Sequence, residues 1–158
     1  MSASQHPHRP GSWAIYGHEW AVRLLQRVIP STQHDQTLPP RYGPRHAYLF
    51  LGSAQIGKTT LARSFAAALL CTGDQPPCGT CRSCSLLAHG NHPDFHLVQP
   101  LDRDGGVDRA NGLLRAEQAA ELIHAAALRP LEGRYRIFLL QDAHLANDTF
   151  ANKLLKTL

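Results

Sequence analysis

The chain has 158 residues, 43% of them apolar, which is enough for one domain with a genuine core. Its formal charge of +4 is too small a surplus to argue for nucleic-acid contact, since ordinary solvated surfaces carry as much. No apolar run reaches the roughly 18 residues of a membrane span, and the polar start MSASQHPHRPGSW has no signal-peptide stretch, so a cytoplasmic protein with no membrane partner is expected.

Residues 1–12 read as a disordered leader. Trp13 to Ile29 reads as a short apolar stretch followed by an amphipathic helix, with Trp20, Leu24, Leu25 and Val28 at helical spacing. Pro30 ends it, and 31–45, with three prolines, is a loop. His46–Gly52 (HAYLFLG) is expected to be a buried strand running into GSAQIGKT.

That octapeptide matches G-x-x-x-x-G-K-[ST] in full through Gly52, Gly57, Lys58 and Thr59. The glycines let the backbone turn tightly, so that its N–H groups point at phosphate oxygens. Lys58 supplies a mobile positive charge to the β/γ-phosphates, and Thr59 offers its hydroxyl to Mg²⁺. A helical segment, Lys58 to about Leu70, follows and brings its positive end to the same spot. The expected nucleotide cradle is therefore Gly52, Ser53, Ala54, Gln55, Ile56, Gly57, Lys58, Thr59 and Thr60.

All four cysteines follow at once, as Cys71-x6-Cys78-x2-Cys81-x2-Cys84. In a reducing compartment such density favours a metal over disulfides. Two overlapping C-x2-C steps place thiolates close enough to share one tetrahedral ion, and Cys71 closes it from the helix end. Pro76, Pro77 and Gly79 bend the chain around it. A four-thiolate site leaves no open position, so the expected ion is a structural zinc in an insertion of about 71–84. An iron–sulfur cluster uses the same ligands, although nothing nearby suggests redox chemistry.

Ser85–His89 resumes as helix, Phe95–Gln99 is a second strand, and 101–112 is a loop rich in Asp and Gly. Leu114–Leu128 is a helix stopped near Arg129 by Pro130, and Tyr135–Leu140 is a further buried strand. From Asn147 an amphipathic helix begins, with Phe150, Leu154, Leu155 and Leu158 on one side. Strands alternating with helices indicate an α/β fold with a parallel sheet. Leu158 lies inside the last helical pattern with no stop signal, so the chain is expected to be cut short.

A nucleoside triphosphatase needs a second acidic site at the end of an apolar strand, where an Asp helps hold Mg²⁺ and a neighbouring Glu orients water. Here the strand ends Leu139-Leu140-Gln141-Asp142. With Gln141 in the metal-side position, a neutral amide replaces a carboxylate, and Asp142 reaches less far than Glu. A shift of one residue would instead make Asp142 the metal-side carboxylate.

In this order these residues resemble the clamp-loader branch of the AAA+ P-loop ATPases, the bacterial DNA polymerase III subunits, from Tyr16 to Leu158. HAYLFLGSAQIGKTTLA is similar to that family's first strand and loop, and the cysteine insertion to its zinc module. LRAEQAAELIHAAALRPLEGRYRIFLLQDAH and ANKLLKTL are similar to the elements around its second acidic site. Gln141-Asp142 resembles the delta-prime branch, which tolerates change at the first position, more than the gamma/tau branch with its Asp-Glu pair. The resemblance implies that Tyr16, in Tyr16-Gly17-His18-Glu19, lies near adenine, and that ATP with Mg²⁺ and one zinc are bound. It implies weak or no intrinsic hydrolysis, with Asp142 the weakened catalytic position. The implied partners are gamma/tau and delta subunits, a sliding clamp and primed DNA. Residues 13–158 would be the N-terminal part of the ATPase domain, with sensors, arginine finger, lid and collar beyond Leu158. Two other readings are an independent P-loop kinase or ATPase, which needs an intact acidic pair, and a zinc-dependent nucleic-acid binder, which needs salt-sensitive DNA binding.

Overall fold

Glu19–Gln26 forms the first helix, α1, with an acid in its first turn and Arg23 in its last, the order that the helix dipole favours. The computed structural model describes residues 11–13, 15–29 and 43–156, and the chain divides at His92–Pro93 into two compact units. Residues 1–10 of the expected 1–12 leader, most of the 31–45 loop and Leu158 lie outside the described residues.

The first unit contains α1, α2 (Lys58–Leu70) and α3 (Arg82–Ala88), with α1 and α3 both lying against α2. Alanine and leucine give α2 its helical preference, and it has the predicted bounds. Leu61, Phe65 and Ala68 recur along one face and join Trp13, Ala21 and Leu25 in a core. Trp13 stacks on Phe65 with ring centroids 6.1 Å apart, and its carbonyl accepts the Ser64 hydroxyl at 3.0 Å.

Two expectations are corrected in this unit. Of the helical pattern, Leu25 and Val28 pack on the core as read, together with Ala21, whereas Trp20 is 72% exposed and Leu24 56%. The helix is short, and the small Ala21 lets it approach α2, so the bulky residues point outward. His46–Gly52 is not a strand among the described residues. It keeps a strand's alternation: Tyr48 packs edge-on to Phe65 at 5.0 Å and Phe50 joins the core, while Leu49 and Leu51 face outward. No ladder forms, because the described residues of its own unit include no strand to pair with.

The second unit holds β1 (Phe95–Val98), α4 (Ala116–Ala126), β2 (Ile137–Leu140), a 3₁₀ turn at Ala143–Leu145 and α5 (Asp148–Leu155). β1 and β2 pair in parallel from Phe95↔Ile137 to Val98↔Leu140, so a crossover is required and α4 lies within it. His96 stacks on Phe138, its register partner, at 4.9 Å. α4 packs on α5 around Leu114, Ala119 and Phe150, with Val98, Leu140 and Leu154 against them. The parallel sheet and flanking helices agree with the expected α/β class. Phe150 is the buried anchor of α5, but Leu155, expected beside it, is 71% exposed. Asn147 caps α5 by accepting the Phe150 N–H at 2.7 Å.

One buried acid holds this unit together. Asp94, fully buried, accepts the backbone N–H groups of Leu131, Glu132 and Gly133 at 2.7, 2.8 and 2.8 Å. Arg136 stands 3.5 Å away and also donates to the carbonyls of Ala125 and Arg129. Burial alone would raise the carboxyl. The three N–H bonds and the Arg136 cation outweigh it and hold Asp94 at about 2.

Candidate nucleotide and metal sites

The phosphate loop sits in the first unit. Gly57 has φ +93°, a left-handed conformation that a side chain resists, and as the N-cap of α2 it accepts the Leu61 N–H at 2.9 Å. Gln55 also has positive φ, at 60°. Residues 51–57 are exposed, and α2 begins at Lys58, so its first-turn N–H groups face the loop. The Lys58 ammonium donates to the carbonyls of Gly52 and Ser53 at 2.9 and 2.7 Å. The lysine is thus drawn over the loop, where a phosphate oxygen can replace two neutral acceptors with a charged one.

Tyr16 is 94% exposed. It lines a cavity of about 280 Å³ with Trp13, Ile15, Glu19, Val22 and Arg23. No residue of Gly52–Thr60 is among those lining that cavity.

The four cysteines are brought together. Their sulfurs all lie within 4.8 Å of one another, and Cys71 Sγ is 3.9 Å from Cys81 Sγ. A tetrahedral zinc with Zn–S bonds of about 2.3 Å sets its sulfurs about 3.8 Å apart, so the cage fits that ion. Backbone N–H groups point at the sulfurs: Gly73 and Cys78 at Cys71, both 3.3 Å, Cys81 at Cys78, 3.3 Å, and Cys84 at Cys81, 3.4 Å. Such donors stabilise thiolate, and a metal requires thiolate. Burial raises Cys81, but bonds from Thr72 and Cys84 outweigh it and bring the thiol to about 6. Cys78 is likewise lowered against its burial by Thr80 and Cys81, whereas burial keeps Cys71 and Cys84 raised. α3 starts from this cage, with Cys81 as its N-cap.

The acidic site lies in the second unit, directly after β2. Gln141 continues the ladder by donating its N–H to the Val98 carbonyl at 2.9 Å. Its side chain is buried, and Oε1 accepts the Gln99 amide at 2.7 Å. Gln118 in turn donates to the Gln99 carbonyl at 2.9 Å, which ties this clasp to the first turn of α4. Asp142 has φ 50°, and its Oδ2 lies 2.7 Å from Arg109 Nε. Gln99 and Arg109 were not among the candidates read from the sequence. Both sit in or beside a loop whose order comes from Asp102, which accepts the Asp104 and Gly106 N–H groups, and Asp108, which accepts those of Ala110 and Asn111. No described helix is long and apolar enough to cross a membrane.

Residues 41–158 match the family model described as DNA polymerase III, delta subunit. Among curated proteins, a DNA polymerase III subunit delta' of Pseudomonas aeruginosa is 37% identical over 115 residues, covering 72% of this chain and 33% of that protein. The subunit delta' of Bacillus subtilis is 35% identical over 142 residues, 89% of this chain and 38% of the relative. A subunit gamma/tau of Mycobacterium bovis is 39% identical over 154 residues, 94% of this chain and 23% of the relative. The chain thus spans well under half the length of each of these three relatives.

Proposed function

This chain belongs to the DNA polymerase III clamp-loader subunit family, and we propose that it acts there as a delta-prime-like subunit that binds ATP and hydrolyses it weakly or not at all. The observation that carries this reading is the state of the strand end. The metal-side position holds a neutral amide clasped by Gln99, and the carboxylate beside it is paired with Arg109. The amide brings no charge to a Mg²⁺ ion, and the carboxylate's Oδ2 is already engaged by Arg109, so both are weaker ligands than a free carboxylate.

The binding half has what it needs. Lys58 and the first-turn N–H groups of α2 provide the charge and donors for the β/γ-phosphates, and Thr59 provides a hydroxyl for the ion. Zinc in the Cys71, Cys78, Cys81 and Cys84 cage is structural, since four thiolates saturate it. In the assembled loader, with gamma/tau and delta subunits, a sliding clamp and primed DNA as partners, a subunit of this kind is a rigid member. It binds nucleotide to stiffen itself and completes a neighbour's site. The place of action is the cytoplasm.

The second reading is a gamma/tau-type ATPase, supported by the gamma/tau relative that aligns over 94% of the chain. Nucleotide binding and turnover, measured on one zinc-loaded sample with Lys58→Ala as control, separate the two. Binding without turnover supports the first reading, and turnover abolished by Lys58→Ala supports the second.

A further inference from the structure

From the contacts of Gly11 and Trp13, we infer that the cysteine module is a clasp for the N-terminal segment that walls the Tyr16 cavity, so that metal in the module governs how tightly that cavity takes the base of a bound nucleotide. The inference rests on the nucleotide-binding reading for its ligand, but its mechanical part stands on contacts within the first unit alone.

Three contacts carry it. The Gly11 N–H donates to the Pro77 carbonyl at 3.1 Å, in the turn between Cys71 and Cys78. A side chain added at Gly11 would lie 3.7 Å from Gln75 Cβ, in ordinary van der Waals contact with that side chain. Two residues on, Trp13 is 4% exposed, stacks on Phe65 and is held through its carbonyl by Ser64. Gly11, Trp13 and Tyr16 all line the cavity of about 280 Å³. The segment is therefore gripped at one end by the cysteine module and at the other by α2, the helix that begins at the phosphate loop and ends at Cys71.

The turn bearing Pro77 is folded onto the cage. Cys71 Sγ accepts the Cys78 N–H and Cys78 Sγ accepts the Cys81 N–H, so the loop between them is folded onto its own sulfurs. A metal that fixes those sulfurs fixes the Pro77 carbonyl, and the carbonyl fixes Gly11. Without the metal, only the weak hydrogen bonds among four sulfurs and their backbone donors replace one ion as the hub, and the acceptor for Gly11 loses its place. Because the coupling is one of equilibria, it runs both ways: a bound nucleotide tightens the metal by the same factor by which the metal tightens the nucleotide.

The test uses the intact protein with and without a chelator, and a second variant, Gly11→Pro, which removes the N–H, cannot adopt the φ of +77° that aims Gly11 at the module, and leaves the cysteines untouched. Two quantities are read: quenching of Trp13 emission by acrylamide, isolated by difference against Trp13→Phe, and affinity for a fluorescent ATP analogue. Chelation is expected to raise Trp13 quenching and weaken the analogue by at least about fivefold. Gly11→Pro, with full metal content, is expected to do the same, and chelating that variant adds little further weakening, because the two changes break one link. Equal loss on chelation in parent and variant, or Trp13 quenching that ignores the metal, overturns the clasp. If the parent binds no nucleotide at all, the nucleotide reading fails, and the Trp13 measurement still decides the clasp.

Discussion

Arg109 Nε lies 2.7 Å from Asp142 Oδ2, so the carboxylate that follows β2 already has a cationic partner within its own unit. The position before it, Gln141, is held by Gln99. The two contacts make different predictions. Arg109 is exposed, and an exposed ion pair contributes little to stability, so Arg109→Ala is expected to leave the thermal midpoint unchanged. It is also expected to leave turnover absent, because the neutral amide at Gln141 remains. Gln141→Asp, by contrast, places an anionic oxygen beside Asp142 and is expected to raise Mn²⁺ affinity, read as selective broadening of the amide resonances of residues 140–143. Broadening that appears with Arg109→Ala alone would put the metal on Asp142.

The three backbone donors on Asp94 give an acid-dependent stability. Its carboxyl is held at about 2 against a usual 3.8, so its charged form is favoured in the folded state. The stabilisation is complete above about pH 4 and is lost as pH falls toward 2. The shift corresponds to about 2 kcal/mol. Asp94→Asn is expected to lower denaturation free energy by about that much or more at pH 7, with the difference from parent narrowing in acid. Chemical denaturation across pH 2–7 measures it, and a gap independent of pH would contradict the assignment.

Gly73 has no room for a side chain. A β-carbon there would meet Cys78 Cβ and Sγ at 2.9 Å, inside the cage. Gly73→Ala is expected to displace Cys78 and weaken zinc retention by about tenfold, read as competition against a chromophoric chelator. The same variant is expected to keep the second unit intact, since none of that unit's core residues lies in the cysteine module.

Phe150 is 1% exposed between α4 and α5. Phe150→Ala is expected to destabilise the protein by about 3–5 kcal/mol. Leu155→Ala, five residues on and largely exposed, is expected to change stability little. Paired melting curves distinguish the two, and equal losses would mean that the apolar face of α5 is the one read from the sequence.

Local chemistry made much of this legible. Lys58–Leu70 could be bounded because glycine precedes it and a cysteine turn follows, and both strands of the sheet are apolar runs between turn residues. The cage was legible from cysteine spacing. What could not be read is set by partners distant in sequence. Gln99 and Gln141 are 42 residues apart, and Arg109 and Asp142 are 33 apart. Asp94, in an ordinary His-Pro-Asp, shows its importance only when the turn at Leu131–Gly133 folds onto it. The apolar run His46–Gly52 announces a strand, but a strand needs a neighbour, and periodicity says nothing of which one. α1 shows the same limit: Trp20 and Leu24 have helical spacing, yet small Ala21 decides which face packs.

Binding without turnover is read most plainly from ATP affinity and phosphate release by the zinc-loaded protein, alongside Lys58→Ala. The parent is expected to bind ATP, Lys58→Ala to abolish binding, and neither to release phosphate above background. Steady phosphate release by the parent that disappears with Lys58→Ala would contradict that expectation, and would make Asp142 a working catalytic carboxylate despite Arg109.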